Sequence, residues 1–142
     1  MKAFLDSSIL VATFYGDHPR HRPSIALYAK QNRSTGCIAA HSLAEVFSVA
    51  TAMPGKNRAA PEQILAFLQE VRDRMNIVTL DDREYWRVIE NAAANGISGG
   101  AVYDALIGEC AIKAAAQTIY TWNVRHFQLL GPGIAARVRE PR

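Results

Sequence analysis

The sequence has 142 residues, of which 49% are hydrophobic and 20% are charged; these proportions are typical of a globular protein and exclude a disordered chain. The formal net charge of +3 makes the chain mildly basic, which is compatible with a polyanionic partner. No apolar run approaches the roughly 20 residues that cross a bilayer, and Asp6 interrupts the N-terminal stretch too early for a secretory signal. We therefore expect a single cytoplasmic domain over residues 1–142, with no membrane segment and with Cys37 and Cys110 as buried thiols.

Short apolar segments alternate with helical patterns in the first part of the chain. Residues 2–5 read as a buried strand, and residues 7–15 as the helix that follows it. Pro23, at a first helical position, opens a helix over 23–31. The segment TGCIAA (35–40) predicts a second strand, followed by a helix from about Leu43 to Met53 that ends at Pro54-Gly55.

The same alternation continues in the second part. Pro61 opens the amphipathic segment PEQILAFLQEVRDRM, and NIVTL (76–80) predicts a third strand. A helix capped by Asp81 or Asp82 ends at Asn95-Gly96, and an Ala-rich helix covers about 101–116. TIYTW (118–122) predicts a fourth strand, and IAARV (134–138) a fifth. This order predicts a three-layer α/β/α domain around a mostly parallel sheet of four to five strands.

Four polar residues fall where ligands collect in such a fold, at the carboxyl ends of the strands. Asp6 follows the first strand, Glu45 lies one helical turn beyond the second, and Asn123 follows the fourth. Asp104 lies near the start of the Ala-rich helix. The predicted topology brings all four to one edge of the sheet.

Structural roles compete with a functional one for three of these residues. Asp6 is followed by two serines and is a good helix N-cap. Ser42 and Glu45 form a capping box in which Glu45 bonds back to the backbone of Ser42, and Asn123 is a common type of turn residue. Asp104 is different, because no basic residue stands three or four positions away to pair with it.

The functional hypothesis is that the three carboxylates meet and are held together by divalent cations. Crowded carboxylates repel one another unless a metal neutralises them. Hard oxygen ligands suit Mg²⁺ or Mn²⁺, and such ions promote hydrolysis of phosphodiesters. Zinc is disfavoured, because the histidines and cysteines show no ligand spacing such as HxxxH or CxxC.

Four motifs, in this order and spacing, make the chain resemble the PIN-domain ribonucleases, and within them the VapC-type toxins of bacterial toxin–antitoxin pairs. They are FLDSS, SLAEVFSVATAMPG, GISGGAVYDALI and YTWNVRHF, and the resemblance runs from about residue 2 to residue 127. It implies metal-dependent hydrolysis of RNA by water, with Asp6 and Asp104 as direct metal ligands. Glu45 would complete the site or position the water. The resemblance also implies a cognate antitoxin that blocks the site, and a homodimer.

The last motif departs from the pattern of many family members, which carry a carboxylate at the position of Asn123 or of His126. An amide can bond to a metal-bound water but adds no negative charge. We expect Ser8 and Thr121 to serve as hydroxyl partners or in capping and strand roles. His126 could contact a phosphate, but we favour a structural histidine beside Phe127. The missing carboxylate motivates one alternative, an RNA-binding module with weak catalysis. The other alternative is a metal-dependent nuclease that acts on DNA.

Overall fold

The computed structural model describes residues 2–142, and its centre is a five-stranded sheet in the order β3-β2-β1-β4-β5. Every neighbouring pair is parallel. The strands are β1 (Ala3–Leu5), β2 (Gly36–Ala39), β3 (Asn76–Val78), β4 (Thr118–Tyr120) and β5 (Val138–Arg139). The predicted parallel sheet is therefore confirmed, with β1 at its centre between β2 and β4.

Eight α-helices connect the strands in the described part of the chain. They are α1 (Ser7–Phe14), α2 (His21–Ala29), α3 (Ala40–Thr51), α4 (Pro61–Arg74), α5 (Asp82–Ala94), α6 (Ala101–Lys113), α7 (Val124–Gln128) and α8 (Pro132–Ala135). A short 3₁₀ turn, Gly55–Asn57, lies between α3 and α4. Over residues 2–142, no helix has the length and apolar character needed to traverse a bilayer.

The two faces of the sheet bury separate apolar cores, as the two-residue period of a strand requires. Phe4 of β1 belongs to a core completed by α6, α7 and α8, whereas the next residue, Leu5, belongs to a core formed with α1 to α4. Both side chains are fully buried. The result is the predicted three-layer α/β/α arrangement.

The two cysteines are free and buried, as predicted. Cys37 lies in β2 and Cys110 in α6, and both belong to the core that contains Phe4. Burial raises the pKa of each thiol to about 11. Both side chains are therefore small core residues with little thiolate at neutral pH.

Several predicted element boundaries were wrong. Helix α2 begins at His21, two residues before Pro23, and α3 begins at Ala40 and not near Leu43. The fifth strand predicted within residues 134–138 exists but is shorter and later: residues 134 and 135 end α8, and only Val138–Arg139 pairs with β4. Helices α7 and α8 were not predicted. They are separated at Gly131, whose φ of 106° favours glycine.

Candidate active site

Asp6 stands directly after β1 as the N-cap of α1, and its side chain is almost completely buried, with 3% exposed. Its Oδ2 accepts hydrogen bonds from Thr121 Oγ1 at 2.8 Å, from Ser8 Oγ at 2.9 Å and from Ser8 N at 3.4 Å. Burial nevertheless raises the pKa of this carboxyl, against the lowering effect of these donors. The N-cap role is confirmed, and it uses only one of the two oxygens.

The hydroxyls of Ser8 and Thr121 fix Asp6 to the loop that follows β4. Ser8 Oγ accepts from Trp122 N at 3.0 Å, and Thr121 Oγ1 accepts from Asn123 N at 2.9 Å. The two hydroxyl oxygens are 3.3 Å apart. Within residues 2–142, no side-chain donor reaches Asp6 Oδ1. The network therefore orients the carboxylate through Oδ2 and leaves Oδ1 without a side-chain partner.

Glu45 lies in the second turn of α3, and the alternative interpretation of Ser42-Leu43-Ala44-Glu45 as a capping box was wrong. The N-cap of α3 is Ala39, so Ser42 lies inside the helix. The buried hydroxyl of Ser42 accepts a 2.8 Å hydrogen bond from Ser7 Oγ of α1. Glu45 is thus free of a capping role, and its Oε2 lies 3.8 Å from His41 Nε2.

Asp104 lies in the first turn of α6 and is partly buried. Burial is the main cause that raises the pKa of its carboxyl; the negative charges of Asp6 and Glu45 raise the pKa further, whereas His126 lowers it. His126 Nδ1 lies 3.7 Å from Asp104 Oδ2, and its side chain is 64% exposed. The prediction of a structural histidine was therefore wrong, because this ring faces the solvent and the carboxylate.

One pocket of about 280 Å³ collects all four residues predicted from the sequence. Asp6, Glu45, Asp104 and Asn123 all line it, and we call this site the acid pocket. Asn123 is exposed and begins α7, and its side chain makes no capping hydrogen bond. Among the described residues, neither lysine nor arginine lines the pocket. Three carboxylates therefore line one small pocket with only histidines, and no lysine or arginine, close to them among residues 2–142.

The charge pattern of the acid pocket fits a divalent cation. Glu45 raises the pKa of Asp6, and both raise the pKa of Asp104, so the three groups interact electrostatically. In residues 2–142, no three His, Cys, Asp or Glu side chains are close enough together to hold a metal ion by themselves. Mg²⁺, however, is usually bound through one or two carboxylates and keeps several waters. Asp6 and Asp104, which both line the acid pocket, are two carboxylates of this kind.

Sequence reasoning missed the aromatic and histidine walls of the site. Trp122 and His18 both line the acid pocket. Trp122 Nε1 donates to Ser24 Oγ at 2.8 Å, and the Arg20 guanidinium lies 4.4 Å from the centre of the Trp122 ring. The sequence did offer a signal for Trp122, because this residue follows β4 and directly precedes Asn123, which was itself predicted to lie at the site.

A second aromatic contact joins the two helices that carry Glu45 and Asp104. The rings of His41 and Tyr103 are stacked, with centroids 5.2 Å apart and an interplanar angle of 12°. His41 precedes Glu45 by one helical turn, and Tyr103 directly precedes Asp104. The stacking therefore couples the first turns of α3 and α6.

Comparison with known proteins gives a consistent result. A family model described as PIN domain matches residues 3–129. Ribonuclease VapC40 of Mycobacterium tuberculosis (strain ATCC 25618 / H37Rv) is 35% identical over 120 residues, which are 84% of this chain and 85% of the relative. The crystal structure of M. tuberculosis VapC20, a sarcin–ricin loop cleaving toxin, matches with a TM-score of 0.71 and 14% identity, covering 88% of this chain and 92% of that one.

A DNA-bound VapBC from Salmonella typhimurium matches with a TM-score of 0.68 and 24% identity, covering 99% of this chain and 98% of that one. At these identities, the two structural matches show the fold alone.

Proposed function

The chain belongs to the PIN-domain family, and we propose that it hydrolyses RNA phosphodiester bonds as the toxin of a toxin–antitoxin pair, like the VapC-type ribonucleases to which it is similar. The main support is the acid pocket, which Asp6, Glu45 and Asp104 all line without a lysine or arginine among the described lining. Acidic groups left uncompensated in this way are suited to bind cations.

We assign Asp6 and Asp104 as the ligands of a divalent cation, with Glu45 as a third group that completes the site. The free Oδ1 of Asp6 and the partly buried carboxylate of Asp104 are hard oxygen donors, which favour Mg²⁺ and also accept Mn²⁺. When bound there, the cation would supply Lewis-acid chemistry, polarising a phosphodiester oxygen and offsetting the charge on the leaving group.

The remaining residues position the reactants. Glu45 is one third exposed, so it can contact a water molecule in the pocket and accept its proton during attack on phosphorus. The Asn123 amide can donate to a phosphate oxygen or accept from that water. Ser8 and Thr121 hold Asp6 in its orientation. The mechanism is direct hydrolysis by water, without a covalent enzyme intermediate.

A second candidate function is an RNA-binding module with weak catalysis. The observation that favours it is Asn123, which gives the acid pocket three carboxylates and an amide in place of a fourth carboxylate. A site with less negative charge holds a second cation less tightly. A nuclease acting on DNA is a further alternative, because phosphate contacts by themselves do not read the sugar.

For partners, we propose a cognate antitoxin that covers the acid pocket, in a cytoplasmic setting. The similar Salmonella protein was solved as a VapBC complex. Val49 lines the pocket and is 40% exposed, so an apolar side chain of a partner has a contact beside the acids. A basic side chain of that partner would compensate the carboxylates.

We further propose that the chain forms a homodimer. Helix α5 exposes Trp86 and Ile89 at 61% and 43%, and large exposed apolar side chains of this kind mark protein interfaces. Sedimentation of the wild-type chain at micromolar concentration tests this assignment, and a monomer at all concentrations would contradict it.

The decisive experiment measures cleavage of matched RNA and DNA oligomers by the purified chain with Mg²⁺, with Mn²⁺ and with excess EDTA. We expect cleavage of RNA alone, its loss in EDTA, and a decrease in rate of about a hundredfold or more for Asp6→Asn, because a metal ligand supplies several kcal/mol of transition-state stabilisation. Asp73→Asn is the matched control, since Asp73 is exposed on α4 and lies outside the acid pocket.

Each candidate predicts a different result. RNA binding that survives EDTA, without cleavage, supports the binding module. Cleavage of the DNA oligomer supports the DNA nuclease. Equal rates for wild type and Asp6→Asn exclude the acid pocket as the catalytic site.

A further inference from the structure

A second cavity, of about 610 Å³, adjoins the acid pocket and has no assigned role. Its walls come from the loop 95–100 between α5 and α6, the start of α6, and α7 with the residues that follow it. Asp104 lines both this loop cavity and the acid pocket. A ligand held at Asp104 therefore has direct access to the loop cavity, whose volume is within the range of about 300–1,000 Å³ typical of small-molecule sites.

The lining of the loop cavity combines apolar walls with free polar groups. Ile97, Leu129 and Leu130 supply apolar surface, and Leu129 is 80% exposed although it is a large apolar residue. Asn95 Nδ2 donates to Asn91 O at 2.7 Å, which leaves the carbonyl oxygen of the Asn95 side chain free to accept.

Two further polar groups lie in the same cavity. Ser98 makes no side-chain hydrogen bond to any residue in the range 2–142, so its hydroxyl can both donate and accept. His126 borders the cavity on the side of Asp104, with Nδ1 directed at that carboxylate and Nε2 available to a ligand.

We propose that the loop cavity binds the unpaired base of the RNA nucleotide next to the scissile phosphodiester, an inference that rests on the proposed function. A nucleobase has two apolar faces and an edge that mixes donors and acceptors, and this matches the lining. Only an unpaired base can turn its edge and both faces to the protein, so the cavity selects single-stranded or looped RNA. The continuity through Asp104 places the base one nucleotide from the site of hydrolysis.

The proposal is tested with variants that fill the cavity or remove a wall. Ala101 is exposed at the first position of α6 and lines the cavity, so Ala101→Trp fills it. Ala94→Trp is the matched control, because Ala94 is an exposed helical alanine that does not line the cavity. Leu129→Ala removes an apolar wall at an exposed position, with Leu65→Ala on α4 as its control.

The substrates are single-stranded RNA oligomers in which one nucleotide at a time lacks its base. For the wild type we expect kcat/KM to fall about tenfold when the base next to the cleaved bond is removed, the size of about one lost hydrogen bond to the cavity lining. Ala101→Trp and Leu129→Ala are expected to cleave the intact oligomer about tenfold more slowly and to lose the difference between intact and abasic RNA. Both controls are expected to retain the wild-type ratio.

The outcomes separate this proposal from the proposed function. Robust cleavage with no dependence on any neighbouring base overturns the loop-cavity assignment and leaves the nuclease assignment intact. Ala101→Trp could instead change the sedimentation of the protein while cleavage stays unaltered and Ala94→Trp has no effect. That result would assign the loop cavity to a contact between two copies of the chain and would also overturn the proposal. If no variant cleaves RNA, the affinity for the RNA oligomer is measured by fluorescence anisotropy in EDTA. Equal affinities of the wild type and Ala101→Trp overturn the proposal. A weaker affinity of the cavity variants alone supports it.

Discussion

Two sites in this molecule that contain acidic side chains differ in whether an arginine or lysine of the chain lies beside the acids. In the Glu70 cluster (Tyr28, Glu70 and Arg74), the Tyr28 hydroxyl donates to Glu70 Oε2, and Arg74 Nε donates to Glu70 Oε1 at 2.9 Å. The Arg74 guanidinium also lies 5.0 Å from the centre of the Tyr28 ring. In the acid pocket, by contrast, the described lining offers Asp6, Glu45 and Asp104 no arginine or lysine.

The difference shows how the chain separates structural acids from ligand-binding ones. Arg74 compensates Glu70 and also donates to the carbonyl oxygen of Ala29, so the ion pair ties α4 to the end of α2. Burial and the charge of Glu45 instead raise the carboxyl pKa of both Asp6 and Asp104, and Asp6 raises that of Asp104 further, a state that a bound cation would relieve. Pairing with an arginine of the chain indicates a role in stability, whereas acids whose described basic neighbours are histidines alone leave room for an external cation.

The largest expected difference in cleavage rate is between two variants, each of which neutralises one acidic side chain, Asp104 in the acid pocket or Glu70 in the Glu70 cluster. Asp104→Asn is expected to lower the rate of RNA cleavage by about a hundredfold or more, because it removes a proposed metal ligand. Glu70→Gln is expected to leave cleavage within about twofold and to lower the free energy of unfolding by about 1 kcal/mol, since it weakens hydrogen bonds to Tyr28 and Arg74. Single-turnover cleavage and urea unfolding measure the two effects. The comparison fails if Glu70→Gln reduces cleavage as much as Asp104→Asn does.

A smaller effect is expected from the hydroxyl that orients Asp6. Thr121→Val removes the 2.8 Å hydrogen bond to Asp6 Oδ2 and the acceptor of the Asn123 N–H, and we expect about a tenfold loss of cleavage. Thr121→Ser is expected to restore activity, and Thr118→Val in β4 is the control, because Thr118 does not line the acid pocket. A titration of activity against Mg²⁺ provides a second measurement, in which Thr121→Val is expected to require more Mg²⁺. Unchanged Mg²⁺ dependence would argue against a positioning role.

The smallest expected effect is on stability in the absence of metal. Burial raises the pKa of Asp6, so the folded state favours the neutral carboxyl. The folded state therefore loses stability as the pH rises through this raised pKa and the carboxyl becomes charged. Asn at position 6 keeps the N-cap and carries no charge. In EDTA, we expect the midpoint of thermal unfolding of Asp6→Asn to exceed that of the wild type by about 3 °C at neutral pH, and the difference to shrink in acid. A lower midpoint at neutral pH would mean that the Asp6 charge is already compensated without metal.

The sequence predicted the parts of the site that depend on strand ends. Asp6 and Asn123 follow β1 and β4, which are neighbours in the sheet, and parallel strands bring such residues to the same edge. Asp104 was identified because no basic residue stands near it in sequence, and its position in the acid pocket agrees with that reasoning.

The errors arose where long-range contacts override local patterns. The capping-box pattern at Ser42 is genuine in the sequence, but its hydroxyl bonds to Ser7 of α1, 35 positions away, and α3 starts earlier. Helices α7 and α8 have five and four residues, too few to show a helical period. The exposure of His126 follows from the placement of α7 beside α6, which the sequence pattern around Phe127 does not encode.

The hydrogen bond between Thr121 and Asp6 joins positions separated by 115 residues. Strand β1 lies between β2 and β4, so the centre of the sheet is incomplete until residues 118–121 have been synthesised. A growing polypeptide on the ribosome consequently carries Asp6 and Glu45 long before it can hold Asp6 in its final orientation. The order of translation thus delays competence for cutting RNA until most of the chain has emerged.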